Sequence, residues 1–177
     1  MDLPQTRVSR VIDPMLSRIG QWISWLWIAL MGIIVANVVL RYAFSVGHIE
    51  LEEIQWHIYS FGFLLGLSYA YQADSHIRVD VLHERWSSRT QAWIEFYGTL
   101  LLLIPFITVI LIFGFPFVST SFQLGEISQS PGGLPYRWLV KAALLAGFLL
   151  LLLAVVSRLS RVCAALFVDS EEPYGGK

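Results

Sequence analysis

The sequence is short of charged residues and of cysteine. Only 14% of its 177 residues are charged and 56% are hydrophobic, whereas about 25% of an ordinary soluble domain is charged. The single cysteine, Cys163, excludes an intramolecular disulfide and a metal centre built from thiolates alone. The formal net charge of −1 excludes a polybasic surface, so no nucleic-acid partner is expected. These deficits indicate an integral membrane protein that contacts membrane lipid.

Long apolar runs lie between the sparse charged residues, and four of them are long enough to cross a membrane. A helix needs about 20 apolar residues to span the hydrocarbon core of a bilayer. The predicted spans cover approximately residues 19–40, 54–73, 96–122 and 138–159. We therefore expect an all-α integral membrane protein with four transmembrane helices. They form a single four-helix domain over residues 1–168, followed by a disordered cytoplasmic tail over 169–177.

Lysine and arginine are distributed unequally between the two sides of the predicted bundle. Nine of the 12 basic residues lie on the side of the chain termini, and only Arg41, Arg137 and Lys141 lie on the other. Because cytoplasmic loops carry the excess of basic residues, both termini are predicted to be cytoplasmic (N-in/C-in). The loops over 41–53 and 123–141 are then outside.

The residues before the first span have the pattern of a short amphipathic helix. Apolar residues from Val8 to Met15 fall at helical spacing opposite the arginines, which is typical of a segment lying along the cytoplasmic interface. Asp13 and Pro14 have the character of an N-cap and a first helical residue. Pro14 is therefore expected to separate the interfacial segment from the first span.

The third apolar run is longer than a bilayer requires. Phe96 to Gly125 holds 30 residues without an ionisable side chain, which is roughly 45 Å of helix. Ser88 and Gln91 form a capping-box pattern, so the helix is expected to begin near residue 89. Pro105 and Pro116 are candidate kinks within it.

Polar groups are scarce inside the predicted spans. Glu53 and His57 stand at i, i+4, which favours an interfacial ion pair or hydrogen bond over a buried proton site. Asn37 fits an interhelical hydrogen bond better than a substrate ligand. Transport through the membrane usually requires ionisable groups at depth, so this inventory argues against a chain that transports alone.

Small residues recur at four-residue spacing on three of the predicted helices. Such ladders allow two helices to approach closely. They serve either the chain's own four-helix core or a face that docks onto another membrane protein, and the sequence leaves both open. The helix-packing residues predicted in this way are Gly32, Ala36, Gly62, Gly66, Ala70, Ala143 and Gly147.

Two polar clusters lie outside the spans. On the outer side Glu50, Glu52 and Glu53 form an acidic patch, which is either solvated loop charge or a surface that steers a complementary partner. On the inner side His76, Asp80 and His83 have a spacing that could align metal ligands on a helix. The H-E-x-x-H pattern of zinc proteases is absent, and no metal or other cofactor is predicted for this chain.

Five motifs follow one another along the chain: Arg41-Tyr42-Ala43-Phe44, Glu52-Glu53, Phe63-Leu64-Leu65-Gly66, His76-Ile77-Arg78-Val79-Asp80 and the loop over 125–135. In this order they resemble the small membrane subunit of tripartite ATP-independent periplasmic (TRAP) transporters. The resemblance covers most of residues 19–160.

The resemblance implies four helices, an N-in/C-in topology and a multi-pass protein of a bacterial or archaeal inner membrane. It implies permanent association with a large polytopic permease subunit, which carries the substrate and sodium sites and moves by an elevator mechanism. It also implies a periplasmic substrate-binding protein that delivers an organic acid or similar solute. The small subunit would be a scaffold and part of the docking surface, and not an enzyme.

The resemblance also suggests roles for individual residues, none of them catalytic. Arg41, Glu52 and Glu53 would be structural or docking residues at the periplasmic face. His76, Arg78 and Asp80 would fix the cytoplasmic turn. We add Glu50, Glu126, Arg137 and Lys141 as periplasmic charges near the same surface.

Two other classes of protein remain as alternatives. A haem-carrying membrane anchor of a respiratory enzyme needs axial ligands, and His57 is the only histidine within a predicted span. An autonomous small exporter needs a carboxylate inside the membrane, and every Asp and Glu lies at or beyond a span boundary.

Overall fold

The computed structural model describes residues 3–73 and 86–167, and all regular structure in these ranges is helical. The all-α class predicted from the sequence is therefore confirmed for the described chain. The helices are α1 (Arg7–Ala43), α2 (Ile49–Gln72), α3 (Ser88–Gly98), a π-helical turn (Thr99–Leu103), α4 (Ile104–Gln123) and α5 (Trp138–Phe167).

Three helical segments of the described chain are long and apolar enough to cross a membrane. They are α1, the continuous run from α3 through α4, and α5. Helix α2 has 24 residues but is not among these three segments, and its three glutamates, Gln55 and His57 fall within its first nine residues. Length and composition in the structure thus identify three spans, and the fourth span and the N-in/C-in orientation remain predictions.

Helix α1 begins earlier than expected and continues through Pro14. Its N-cap is Thr6, whose hydroxyl accepts a hydrogen bond from the Ser9 backbone N–H at 3.1 Å. The prediction of an N-cap at Asp13 was wrong, because the Asp13 carboxylate instead accepts a hydrogen bond from Ser157 of α5 at 2.5 Å. The predicted break at Pro14 was also wrong: the amphipathic segment and the first span form one helix of 37 residues.

The third apolar run contains a π-helical turn immediately before Pro105. The Ile104 backbone N–H donates to the Thr99 carbonyl, five residues earlier. Proline lacks an N–H, and its ring crowds the carbonyl four residues before it, so a widened turn at this position accommodates the ring. Pro116 lies inside α4 without ending it. At the start of this run the N-cap is Ser87, so α3 begins at Ser88, one residue before the predicted position.

Helix α5 is the centre of the bundle, because it contacts each of the other four helices. Helix α2 packs against both α1 and α5. One buried cluster joins α4 to α5 and comprises Ile107, Phe148, Leu151 and Val155, with Leu64 of α2 packed against it. A second cluster joins the N-terminus, α3 and α5 and comprises Leu3, Ala92, Val162 and Leu166.

Three of the predicted packing residues lie inside the bundle, against a neighbouring helix. A Cβ atom on Gly147 would lie 2.5 Å from the backbone oxygen of Leu64, so only glycine fits here. Ala143, one turn earlier on α5, is fully buried. A Cβ on Gly62 would lie 3.3 Å from the Trp27 ring of α1. These residues therefore belong to the chain's own core.

The other predicted packing residues lie away from the helix contacts. Gly32 and Ala36 are exposed on α1, and Gly66 and Ala70 are half-buried on α2. A Cβ on Gly32 or Gly66 would meet nothing within 4 Å. The four-residue spacing by itself therefore did not distinguish an inward face from an outward one.

Two close glycine contacts were not predicted from the sequence. A Cβ on Gly20 would lie 2.5 Å from the Tyr69 ring, and one on Gly114 would lie 2.8 Å from Leu145. Each of these glycines lies against a bulky side chain of a neighbouring helix.

At the end of the bundle opposite the α1–α2 connection, an ion pair ties α3 to α5. Glu95 accepts a hydrogen bond from Arg158, and their side chains are only 14% and 10% exposed. The Arg158 guanidinium also lies 5.8 Å from the centre of the Tyr71 ring of α2. Removal of Arg158 would leave the Glu95 carboxylate nearly buried without this partner, which is costly.

We predict that Gly147→Ala destabilises the bundle and that Gly66→Ala does not. The new methyl group of Gly147→Ala must displace the backbone of α2, which should cost about 1–3 kcal/mol of unfolding free energy. Gly66→Ala adds a methyl group in open space and should be neutral or stabilising by up to about 1 kcal/mol, because alanine favours a helix. The unfolding free energy of each variant can be measured in detergent micelles, with circular dichroism monitoring the loss of helix. Equal stability of the two variants would contradict the close α2–α5 contact.

Candidate docking site at the loop end of the bundle

Three parts of the chain meet at one end of the bundle, which we call the loop end. They are the last turn of α1, the first turns of α2, and the loop over 124–137 that connects α4 to α5. Charged side chains are concentrated here because the helices between the two ends are apolar. All the predicted docking residues lie at the loop end: Arg41, Glu50, Glu52, Glu53, Glu126 and Arg137.

Glu53 attaches the loop to α2 with both of its carboxylate oxygens. The Ser128 hydroxyl donates to Oε1, and the Leu134 backbone N–H donates to Oε2 at 2.6 Å. The Ser128 N–H donates to the Leu134 carbonyl at 3.1 Å, which closes the loop on itself. Glu53 is therefore occupied by contacts within the chain.

These hydrogen bonds lower the pKa of Glu53 below its ordinary value of 4.5, the Ser128 hydroxyl having the largest effect and the Leu134 N–H the next. A carboxylate whose pKa is lower in the folded state stabilises that state once it is ionised. The contribution is fully present above pH 4.5 and is lost as the pH falls through the lowered pKa. At neutral pH the loop is thus held by a charged acceptor.

Glycine is required where the loop passes over Glu53. A Cβ on Gly133 would lie 2.5 Å from the Ser128 Cβ and 2.8 Å from the Glu53 carboxylate. Gly132 has φ of +79°, a conformation that L side chains rarely adopt. The Pro-Gly-Gly sequence therefore provides both the turn and the space for the carboxylate.

Glu126 attaches the other side of the loop to the ends of α4 and α5. Its carboxylate accepts hydrogen bonds from Lys141 and, at 2.6 Å, from the Ser121 hydroxyl, and lies 3.7 Å from Arg137. The hydrogen bond from Lys141, followed by that from Ser121, lowers the pKa of Glu126. Lys141 also lies 4.2 Å from the centre of the Phe117 ring. The sequence predicted three separate charges at this surface, Glu126, Arg137 and Lys141. In the structure they form one network.

The remaining charges of the loop end are accessible. Arg41 at the end of α1 pairs with Glu52 of α2, and their side chains are 51% and 41% exposed. His48 and Glu50 lie 3.8 Å apart and are exposed to a similar degree. Exposed ion pairs of this kind stabilise a protein little, so these side chains can reorient toward a partner.

His57 lies beneath this surface and is bonded to the backbone. Its Nδ1 lies 2.6 Å from the Glu53 carbonyl oxygen, one turn earlier in α2. The predicted i, i+4 hydrogen bond is therefore present, but its acceptor is the backbone and not the carboxylate. His57 lines a cleft of about 310 Å³ together with Trp56, Ser130 and Arg137.

Sequence reasoning did not identify the serine residues that complete this site. Ser121 and Ser128 bond to Glu126 and Glu53, and the second pair is separated by 75 residues along the chain. No local spacing links such distant positions. The predicted cytoplasmic-turn residues His76, Arg78 and Asp80 lie outside the described residues. Within residues 3–73 and 86–167 no cluster of His, Cys, Asp and Glu could hold a metal ion.

Comparison with known proteins gives two consistent matches. Residues 30–164 match the family model described as "Tripartite ATP-independent periplasmic transporters, DctQ component". A relative from Haemophilus influenzae, named "Putative TRAP transporter small permease protein", is 32% identical over 125 residues, which is 70% of this chain and 78% of the relative.

We predict that Glu53→Gln loosens the loop, whereas Glu50→Gln does not. Both variants remove one negative charge from the first turns of α2, but only the Glu53 carboxylate accepts hydrogen bonds from the loop. Glutamine has one acceptor oxygen in place of two and carries no charge, so it cannot accept from both the Ser128 hydroxyl and the Leu134 N–H. Amide hydrogen exchange across residues 128–134 should therefore accelerate at least several-fold. Exchange measured by mass spectrometry at neutral pH tests this. Equal protection in the two variants would show that Glu53 does not hold the loop.

Proposed function

The chain belongs to the DctQ component family of TRAP transporters, the small permease subunits, and we propose that it is the scaffold subunit of such a transporter. In this role it associates with a large elevator-type permease subunit and helps to dock a periplasmic substrate-binding protein. The family is one of transporter components and not of enzymes. We propose no catalytic residue and no cofactor in this chain.

The observation that best supports a scaffold role is the absence of an internal ion path in the described structure. The buried polar residues within residues 3–73 and 86–167 are all uncharged: Ser9, Asn37, Ser68, Thr99, Ser121 and Ser157. The charged side chains of the loop end bind to one another and to the loop. Coupled transport needs ionisable groups at depth, so we assign the sodium and substrate sites to the large subunit.

We propose that α2 is the fourth transmembrane helix and that both termini are cytoplasmic. At about 1.5 Å per residue, α2 is about 36 Å long, which exceeds a hydrocarbon core of about 30 Å. It packs against both α1 and α5, which are themselves apolar enough to span. The excess of basic residues on the side of the termini supports N-in/C-in. The loop end is then periplasmic, on the inner membrane of a bacterium or archaeon.

The faces that meet the large subunit are proposed to be the outer faces of α1 and α4. Both carry exposed large apolar side chains, including Trp25, Met31 and Val35 on α1 and Phe113 and Phe115 on α4. Exposed Gly32 and Ala36 lie on the same side of α1 as Trp25 and would allow close approach of a partner helix.

The docking surface for the binding protein is proposed to consist of Arg41, Glu50 and Glu52. These side chains are accessible, whereas Glu53 and Glu126 hold the loop in place beneath them. His76, Arg78 and Asp80 are proposed to fix the turn on the cytoplasmic side. The transported solute is proposed to be an organic acid or a similar solute.

We predict that the chain purifies with one much larger polytopic protein in equal amount. Affinity purification from the native membrane in mild detergent, through a tag at the C-terminus, followed by mass spectrometry, tests this. Recovery of the chain alone would refute the scaffold role. Recovery of redox subunits with haem absorbance would instead support the respiratory-anchor alternative.

We predict that Glu50→Lys slows association of the binding protein with the purified complex. Reversal of an exposed charge alters electrostatic steering, so the association rate should fall several-fold at low salt and its salt dependence should flatten. Glu171→Lys, the same change in the predicted cytoplasmic tail, is the control. Surface-based kinetics over a salt series provide the measurement. Identical rates for the two variants would remove Glu50 from the docking surface.

A further inference from the structure

The N-terminal part of α1, residues 7–18, presents arginines to its surroundings. Arg7, Arg10 and Arg18 are exposed, and none of them has an ion-pair or hydrogen-bond partner in the described part of the chain. We call them the basic face. Four other arginines, by contrast, pair with carboxylates: Arg41, Arg137, Arg158 and Arg161. The basic face therefore offers three positive charges to an external partner.

The opposite side of this segment packs against the chain itself. Ser9 and Leu16 are buried there. The Asp13 carboxylate accepts a hydrogen bond from Ser157 and lies 3.7 Å from Arg161, both on α5. Asp13 is the one acidic residue of the segment, and it is used in contacts with α5. It therefore does not neutralise the basic face.

Apolar side chains lie between the arginines and beyond them along α1. Arg7, Val11, Met15, Arg18 and Trp22 follow one another at intervals of three or four residues, which places them on one side of the helix. Val11 and Trp22 are 72% and 78% exposed. A helix side that combines arginine with exposed tryptophan is typical of the boundary between water and lipid.

The positions of the arginines along α1 place Arg18 at a membrane surface. Arg18 and Arg41 are 23 positions apart, which is about 34 Å along the axis, and a hydrocarbon core is about 30 Å thick. With Arg41 at the loop end, Arg18 lies at the opposite edge of the core, and Trp22 lies just inside it. Side chains lean toward the helix N-terminus, so the Arg18 guanidinium reaches the headgroup layer. Arg10 is about 12 Å further out, beyond a headgroup layer of about 5–7 Å.

We propose that the basic face binds an anionic phospholipid, with the phosphate on the Arg18 guanidinium and an acyl chain beside Trp22. A guanidinium donates two parallel hydrogen bonds to phosphate oxygens. Arg7 and Arg10 add positive charge in the adjacent water, which favours a lipid of net negative charge over a zwitterionic lipid, whose ammonium they repel. With both termini in the cytoplasm, as proposed above, this lipid belongs to the inner leaflet.

The test is lipid retention by the full chain, purified in mild detergent with any subunit that accompanies it. The protein is equilibrated with an equimolar mixture of phosphatidylglycerol, phosphatidylethanolamine and phosphatidylcholine, and native mass spectrometry identifies the lipid that remains bound. We expect phosphatidylglycerol to be retained in several-fold preference to either zwitterionic lipid. Equal retention of the three lipids would overturn the proposal.

Two variants that each remove one charge assign this preference to the basic face. Arg18→Gln should reduce the preference for phosphatidylglycerol several-fold, because the glutamine amide carries no charge to offer the phosphate. Arg89→Gln is the control, since Arg89 is exposed on α3 at the same end of the bundle, and it should leave the preference unchanged. An unchanged preference in Arg18→Gln, or an equal loss in both variants, would overturn the assignment.

Fluorescence quenching tests whether the lipid lies beside Trp22. Bromine atoms on the acyl chains of a lipid quench the tryptophans that the lipid contacts in a vesicle. The part of the quenching that is lost in Trp22→Phe reports Trp22. We expect this part to be larger with brominated phosphatidylglycerol than with brominated phosphatidylcholine, and the difference to disappear when Arg18→Gln is also present. Equal quenching of Trp22 by the two lipids would contradict the proposed site.

The alternative occupant is an acidic segment of an associated membrane subunit. In that case Arg18→Cys, in a chain that also carries Cys163→Ser, would cross-link to that subunit. The preference for phosphatidylglycerol would then be present in the isolated chain and absent from the complex. That result would overturn the lipid proposal and leave the scaffold role intact. If no large subunit accompanies the chain, the scaffold role fails but lipid retention is still measured, so the two proposals fail separately.

Discussion

The exclusion of charge from hydrocarbon determines most of this structure. Ionised side chains cannot remain unpaired in lipid, so they lie toward the two ends of the bundle and pair there. At the loop end Glu53 and Glu126 hold the connection between α4 and α5. At the other end Asp13 and Arg161, 3.7 Å apart, join the start of α1 to the end of α5. Close packing holds the apolar middle of the bundle together, and Gly147 allows α5 to lie directly against the backbone of α2.

This distribution explains why the chain suits a static role. An element that moves needs two conformations of similar free energy. Here polar contacts attach the loop over 124–137 to α2 and α5. Others attach the N-terminal segment to α5. The buried side chains between the two ends are uncharged in the described part of the chain. In the described part of the chain, the outer helix faces and the charges at the loop end are exposed, which agrees with the scaffold role proposed above.

The apolar runs and the charged residues that bound them predicted the helices well where no other local signal competed with them. The start of α5 at Trp138 and the helical character of every described span followed from apolar runs bounded by charge. Local signals failed where tertiary contacts compensated for them. Asp13 and Pro14 have the pattern of a helix start, but the cap at Thr6 and the bond from Ser157 to Asp13 sustain one helix through the proline.

The sequence by itself determined the membrane class, the apolar helices and the grouping of charged residues beside the loops, because these depend on composition and on spacing along one helix. Tertiary structure alone decided which glycines lie against a neighbouring helix and which glutamates form hydrogen bonds within the chain. It also decided which buried side-chain amide atoms lack a hydrogen-bond partner, Asn37 Oδ1 and Gln55 Nε2. Gly147 and Gly66 differ only in what lies opposite them, as do Glu53 and Glu50. Such distinctions arise from contacts between residues far apart in the chain, and no local spacing encodes them.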